Sequence, residues 1–229
     1  MTAVILAAGQ GTRMKSSLPK AMLTLAGETL ISRQVRQLRA LAVKHIIVVL
    51  GDKAQEIRSH IEKYGVRFCY NENYRHTDNL HSFKIGVQKV ADECLMLHCD
   101  LIFTDALLVK VFNTPGDIVL PVDKSSFDRE AMKIRLENGI VRDLSKDIPL
   151  NLASAESLPL MKFSQSALAV LKKEMDVLAL SDKKSYLESA IIHIIKNAGI
   201  QPIIVDVTGY KWAEIDTPED YDSAKTKFA

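Results

Sequence analysis

Short apolar runs alternate with stretches of helical period through the first half of the chain, and this alternation limits the fold more than any other feature. Ala3–Ala8 reads as a buried strand, followed later by Ile31, Val35 and Leu38 at i, i+4, i+7, the mark of an amphipathic helix. His45–Leu50 is a second buried strand, closed by Gly51. Lys53–Ile61 has helical period, Val66–Tyr70 is a short strand, and Phe83, Val87 and Val90 define a further helix. Cys94–His98 is a strand that ends at Asp100. Such strand–helix alternation favours a largely parallel sheet covered by helices on both faces.

The second half changes character. Asp117–Val122 reads as a strand, and Ala131–Glu137 with Ile140–Leu144 as a hairpin around the turn-favouring pair Asn138-Gly139. Leu158–Phe163 is another strand, followed by a helix carrying Leu168, Leu171 and Met175. Leu187, Ile191 and Ile195 mark the next helix, and Pro202–Val207 a strand. Thr217 is placed to cap a last helix, with Pro218 at its first position and Glu219 and Asp220 in its first turn. There is no repeat, low-complexity tract or long linker, so residues 1–229 are expected to form one α/β domain with a mixed sheet.

Composition narrows the function. With 47% hydrophobic and 25% charged residues in 229, the chain can bury a full core. Thirty basic residues against 28 acidic give a net charge of +2, which leaves no broad basic field and argues against nucleic acid as a bulk partner. The three cysteines, Cys69, Cys94 and Cys99, lack Cys-x-x-Cys spacing and read as buried thiols in a reducing compartment. No apolar run approaches the ~18–20 residues of a membrane span. The chain opens on Ala3-Val4-Ile5-Leu6 without a basic n-region, so a cytoplasmic location is expected.

The loop after the first strand carries the chemistry. It runs Leu6-Ala7-Ala8-Gly9-Gln10-Gly11-Thr12-Arg13-Met14-Lys15-Ser16-Ser17-Leu18-Pro19-Lys20. Glycine and alanine leave backbone N–H groups open to phosphate oxygens, Arg13 offers a planar fork, and Lys20 a point charge. A Gly-x-Gly alone also occurs in ordinary strand–helix turns. The string is not a P-loop, and it lacks the third glycine of the dinucleotide fingerprint.

As a whole, Leu-Ala-Ala-Gly-x-Gly-x-Arg followed by Pro-Lys resembles the signature of the nucleotidyltransferase family. Its members are sugar-1-phosphate, phosphocholine and phosphonate nucleotidylyltransferases with a glycosyltransferase-A-like fold. The resemblance implies a three-layer Rossmann-like α/β fold with a predominantly parallel mixed central sheet, of the nucleotide-diphospho-sugar transferase kind. It implies Mg²⁺ as cofactor, an NTP and a small phosphorylated acceptor as partners, and admits a homodimer. Leu6, Ala7, Ala8 and Gly9 would then line the base and ribose, Gly11, Thr12 and Arg13 would hold the triphosphate, and Lys20 would touch the reacting phosphates.

The family also carries one Asp after a central strand and another before the last helix. Leu97-His98-Cys99-Asp100 and Glu214-Ile215-Asp216-Thr217-Pro218 supply both in register. Mg²⁺ takes oxygen ligands and usually one or two carboxylates, which suits Asp100 and Asp216. Alone, Asp100 is also a strand-end turn residue and Asp216 one favoured near a helix start. Asn138-Gly139-Ile140-Val141-Arg142-Asp143-Leu144-Ser145-Lys146 is similar to the segment whose lysine meets the acceptor's phosphate, which gives Lys146 that role; otherwise it is a solvated surface lysine.

The middle of the chain bears on the nucleotide. Asn71-Glu72-Asn73-Tyr74 and Asn79-Leu80-His81-Ser82 depart from the uridylyltransferase pattern, and are similar to the Asn-x-x-Tyr and Asn-x-x-Ser segments of phosphocholine and 2-aminoethylphosphonate cytidylyltransferases. CTP is therefore favoured. Asn79 and Ser82 become candidates for base recognition, with Gly51 letting the base approach; Asn79 could equally cap the helix that follows. On the acceptor side, Glu188 matches an acidic position that suits a primary ammonium, and is otherwise an exposed helix carboxylate. Tyr186 and Trp212 join it, together with Phe127, although nothing in the sequence fixes these rings around one point. His81 and His98 read as structural, because phosphate is already a nucleophile at neutral pH.

Three rivals differ in what they need. A non-catalytic nucleotide-binding module would not need Arg13, Lys20, Asp100 and Asp216 together. A glycosyltransferase would be expected to carry Asp-x-Asp, which the chain lacks. A molybdopterin guanylyl- or cytidylyltransferase has a similar first loop, but Pro19-Lys20 and the Glu-Ile-Asp ending fit that branch less well. A sugar-1-phosphate nucleotidylyltransferase using UTP or dTTP stays as the alternative within the family.

Overall fold

The computed structural model describes residues 1–125 and 127–229. The chain runs β1 (Thr2–Ala7), β2 (Thr24–Leu25), β3 (Glu28–Thr29), α1 (Leu30–Ala40), β4 (His45–Leu50), α2 (Ala54–Ile61), β5 (Arg67–Tyr70), α3 (Asn79–Val87), β6 (Cys94–His98) and β7 (Leu101–Phe103). It continues with α4 (Asp105–Asn113), β8 (Ile118–Asp123), β9 (Lys133–Glu137), β10 (Ile140–Ser145), β11 (Ala155–Ser157), β12 (Leu160–Phe163) and α5 (Gln165–Ser181). It closes with α6 (Leu187–Ala198), β13 (Ile203–Asp206), β14 (Trp212–Glu214) and α7 (Pro218–Lys227).

Ten strands form one sheet in the order β10-β9-β11-β8-β12-β6-β1-β4-β5, with β13 also on β8. β6, β1, β4 and β5 are parallel, whereas β12 runs antiparallel between β6 and β8. The β9–β10 hairpin turns through Asn138 and Gly139, both at positive φ as an Asn-Gly hairpin turn requires. The result is the expected mixed Rossmann-like α/β sheet.

Strand alternation divides the core. Val4 and Leu6 of β1 pack with Phe83 of α3, Leu171 of α5 and Ile191 of α6. Ala3, Ile5 and Ala7 point the other way, toward Val35 of α1, Ile57 of α2 and Leu108 of α4. Each β1 residue is less than a tenth exposed, as a strand buried on both faces must be. The three helices on each side complete three layers.

Several short elements lie below the reach of a periodicity argument. β7 pairs antiparallel with β14 away from the main sheet. A small cluster of Met14, Leu23, Leu25, Leu30, Ile102, Ile215 and Ala224 packs the first loop against this corner and α7. α3 ends at Val87, yet Val90 beyond it is buried, so the helical spacing continued past the helix itself. α7 begins as the sequence indicates, with a capping box between Thr217 and Asp220 and Pro218 in the first turn.

Candidate active site

The first loop leaves β1 at Ala7 and crosses Gly11, whose φ is +60°. A Cβ on Gly11 would come within 2.8 Å of the Lys20 Cγ, so only glycine lets the lysine stem pass there. One tight turn at Thr12–Met14 and another at Lys20–Met22 then fold the loop back on itself. Lys20 points inward, where its Nζ donates to Asp100 at 3.2 Å and also to Asp216. Arg13 donates to the other oxygen of Asp216 at 2.7 Å.

Asp100 and Asp216 meet because β7 and β14 pair. Asp100 precedes β7 and Asp216 follows β14, and Ile215 N donates to the Asp100 carbonyl at 3.0 Å. Asp220 of α7 accepts from the backbone N–H groups of Asp216 and Thr217 at 3.1 and 2.8 Å, fixing the start of the helix under the carboxylate. Burial works against charge on both Lys20 and Asp216. The carboxylates of Asp100 and Asp216 nonetheless hold the Lys20 ammonium above its ordinary range, and Lys20 and Arg13 hold Asp216 below its own.

Two cavities meet at this cluster. The smaller, about 180 Å³, is lined by Leu6, Ala7, Ala8, Gly9, Gly11, Lys20, Asn79, Ser82 and Asp100. Most of the expected nucleotide-binding residues thus share one wall. The larger, about 680 Å³, brings together Arg13, Lys146, Tyr186, Glu188, Trp212, Glu214 and Asp216. Phe127 lines it as well, so the three rings that the sequence could not place around one point do share a cavity. The Lys146 Nζ lies 5.7 Å from the centre of the Tyr186 ring. The Trp212 indole N–H donates to Asp123, another residue of this wall, at 2.7 Å, which pins the ring.

Other expected residues sit less directly on the cavities. Gly51 lines neither cavity. The space its side chain would fill belongs to the Ala8 backbone and to Tyr74, whose Cβ would lie 2.8 Å away, so Gly51 lets β4 pass the first loop. Thr12 is exposed and lines neither cavity. Ser82 is buried, and its hydroxyl accepts from the Asn71 amide at 3.0 Å. Asn71 also holds Thr77 and the Asn73 N–H, so it organises the segment that the sequence pattern singled out. Glu188 is only 3% exposed rather than a solvated helix carboxylate, and burial pushes its carboxyl up.

His98 reads as structural in the sequence and Glu214 only as a neighbour of Asp216, yet both line the site. His98 lines both cavities, and its Nδ1 lies 4.0 Å from Glu214. Burial, then the charges of Asp100 and Asp216, push the Glu214 carboxyl up. The signal for Glu214 was present: residues 212, 214 and 216 alternate along an extended segment, so their side chains share a face.

The model of the MobA-like NTP transferase domain matches residues 3–204. The chain belongs to this family. Among curated proteins it is similar to the bifunctional IPC transferase and DIPP synthase of Aquifex aeolicus, at 27% identity over 229 residues, 98% of this chain and 51% of the relative. It therefore spans about half the length of the curated relatives it matches over its whole length. Among solved structures, the inositol-1-phosphate CTP transferase from T. maritima superposes with a TM-score of 0.82 at 18% identity, covering 99% of this chain and 95% of that one. The CTP:phosphocholine cytidylyltransferase from Streptococcus pneumoniae gives 0.77 at 21% identity, covering 98% and 97%. These structures share the fold of the family. No helix among the described residues is long and apolar enough to cross a membrane.

The cluster around Asp100 also offers a donor set for a divalent cation. One ligand atom each from His98, Asp100 and Glu214 falls within 4.8 Å of the others. One carboxylate oxygen of Asp100 is buried without a hydrogen-bond partner among the described residues. The expected partner Asp216 is not in this set, since its two oxygens accept from Lys20 and Arg13, whereas the unsatisfied buried oxygen of Asp100 beside Glu214 would suit a hard divalent cation such as Mg²⁺.

Proposed function

We propose that the chain is a Mg²⁺-dependent cytidylyltransferase. It transfers CMP from CTP to a small phosphorylated alcohol or phosphonate, with phosphocholine and 2-aminoethylphosphonate favoured, and releases pyrophosphate. The observation that carries this reading is the meeting of a narrow cavity on the first loop with a wider one at Lys20, Asp100 and Asp216. Such an arrangement suits two phosphate-bearing molecules brought end to end. The names of the relatives, a CTP transferase and a phosphocholine cytidylyltransferase, support the nucleotide and the acceptor class.

In the proposed reaction an oxygen of the acceptor's phosphate or phosphonate attacks the α-phosphorus of CTP. The bond to the bridging oxygen breaks, and the electron pair leaves with pyrophosphate. Lys20 steadies charge at the reacting centre, Arg13 on the leaving pyrophosphate, and Lys146 on the acceptor's phosphate. Positioning and preorganised charge carry the rate, and no side-chain nucleophile is needed. Mg²⁺, when bound, supplies charge neutralisation between the two substrates. At the acceptor's far end, Glu188 together with Tyr186, Trp212 and Phe127 suits an ammonium group.

A second reading is favoured by one observation. The relative that matches 98% of the chain is named an IPC transferase, and the T. maritima structure an inositol-1-phosphate CTP transferase, which supports a polyol phosphate as acceptor. The test is pyrophosphate release by the purified protein with Mg²⁺, across CTP, UTP, dTTP, GTP and ATP. Each is paired with phosphocholine, 2-aminoethylphosphonate, inositol 1-phosphate and sugar 1-phosphates. Release with CTP and an amino-alcohol acceptor is expected. Release only with CTP and a polyol phosphate selects the second reading, and release only with UTP or dTTP and a sugar phosphate overturns the cytidylyl assignment.

A further inference from the structure

Asn79 is the first residue of α3, and its side chain serves a different helix. Its Oδ1 accepts from the Leu187 N–H at 2.8 Å. Leu187 opens α6, whose preceding residue, Tyr186, makes no side-chain capping bond. The first N–H groups of a helix have no partner within it, so Asn79 does from α3 what a Ser or Asp does at a local cap. The amide Nδ2 lies 3.5 Å from Glu188 Oε2 and 3.4 Å from His98 Nε2. One residue earlier, Asp78 N donates to the Lys183 carbonyl at 3.3 Å. Main chain and side chain together therefore tie the start of α3 to the segment that leads into α6.

This tie joins the two cavities. Asn79 and His98 line both, Ser82 of α3 lines the nucleotide side, and Tyr186 and Glu188 of α6 line the acceptor side. We infer that Asn79 is a positioning residue, which sets the acceptor wall of Tyr186 and Glu188 against the nucleotide cavity by capping α6 from α3, rather than a reader of the base. The amide oxygen is directed at Leu187, and the amide N–H₂ group faces Glu188 and His98. Loss of the amide frees the start of α6 while leaving the first loop, with Lys20 and Asp100, in place. The inference rests on the two-substrate reading proposed above, and assigns to acceptor affinity a residue that the sequence pattern assigns to the base.

The test compares Asn79→Ala, Asn79→Asp, Glu188→Gln and the double variant N79D/E188Q. Asn79→Ala should raise the acceptor KM by about fivefold, the size of a lost helix cap, with the CTP KM changed by less than about twofold and the preference for CTP over UTP kept. Asn79→Asp keeps the oxygen for Leu187 but sets a carboxylate against Glu188, so its acceptor KM should also rise. N79D/E188Q restores an amide–carboxylate pair in the reverse sense and should recover melting temperature relative to N79D, while its KM for an ammonium-bearing acceptor stays raised because Glu188 faces that group. A lesion of folding alone would not separate the two KM values. Hydrogen exchange should quicken at the amides of residues 187–189 in Asn79→Ala. An unchanged acceptor KM with lost CTP preference would overturn the inference, as would unchanged exchange at Leu187. If the wild-type protein turns over no acceptor, the proposed reaction fails; exchange at Leu187, with CTP affinity by calorimetry, still decides the role of Asn79.

Discussion

Lys20 and Asp216 form an ion pair across 196 residues of chain, at the point where the first loop meets the start of the last helix. Asp100 joins them through the same ammonium. One half-buried cation therefore holds two carboxylates that would otherwise repel, and it does so where the two cavities meet.

Replacing Lys20 removes that cation. In Lys20→Ala, pyrophosphate release should fall by about 10²–10³, the usual cost of deleting one preorganised charge-stabilising group. The variant leaves Asp100 and Asp216 without the ammonium between them, so its melting temperature should drop in metal-free buffer. Mg²⁺ should then raise the melting temperature of Lys20→Ala more than that of the wild type, by binding the native state. Equal Mg²⁺ responses in thermal unfolding would count against the carboxylates as the metal site.

Asp220 acts one step further back. It completes the capping box of α7 and holds the backbone of Asp216. Asp220→Ala should cost about 1 kcal/mol of stability, as cap deletions do, measured by urea unfolding. It should also lower turnover by more than that loss explains at a temperature where the variant is fully folded, because Asp216 loses its anchor. Normal turnover at such a temperature would show that the Asp216 position does not depend on the cap.

Gly51 has no room for a side chain. A methyl group there meets the Ala8 backbone and Tyr74. Gly51→Ala should destabilise the protein by about 1–3 kcal/mol, as overpacking does. The displaced first loop should weaken nucleotide binding, read as a raised CTP Kd by calorimetry, with the acceptor KM much less affected. A wild-type melting curve would contradict the packing.

Glu156 gives the fold a pH dependence. Burial, followed by the charges of Asp128 and Asp123, pushes its carboxyl up to about 7. A folded-state value above the unfolded one means that the folded state holds the proton more tightly. The stability from this group is fully present below about pH 4.5 and is lost as pH rises through about 7. Glu156→Gln should therefore gain on the wild type between pH 4 and pH 8, by about 1–2 kcal/mol after discounting for partial exposure. Parallel stability curves for the two proteins, measured by chemical denaturation at each pH, would contradict this.

Much of the frame was legible in the sequence because it is set by local rules. His45–Leu50 and Cys94–His98 are found at the expected bounds, since a continuous apolar run between polar turns has one low-energy home, a doubly buried strand. Thr217, Pro218 and Asp220 specify the start of α7 through bonds that span three residues. The first loop, Asp100 and Asp216 were legible through the resemblance of their segments to the family's pattern.

Only the tertiary structure decided the rest, and in each case the reason is a contact distant in sequence. β7 and β14 are three residues each, too short to show a period, yet their pairing is what brings Asp100 to Asp216. Glu188 carries a charge on a helix surface by sequence, and packing of α6 against its neighbours buries it. His98 and Glu214 acquire a place in the site from the two strands that present them. The amide of Asn79 is spoken for by a backbone N–H 108 residues away. Residue type and spacing determined which groups the chain has for phosphate chemistry; which of them face the same space, and which are already bonded, was decided by long-range packing.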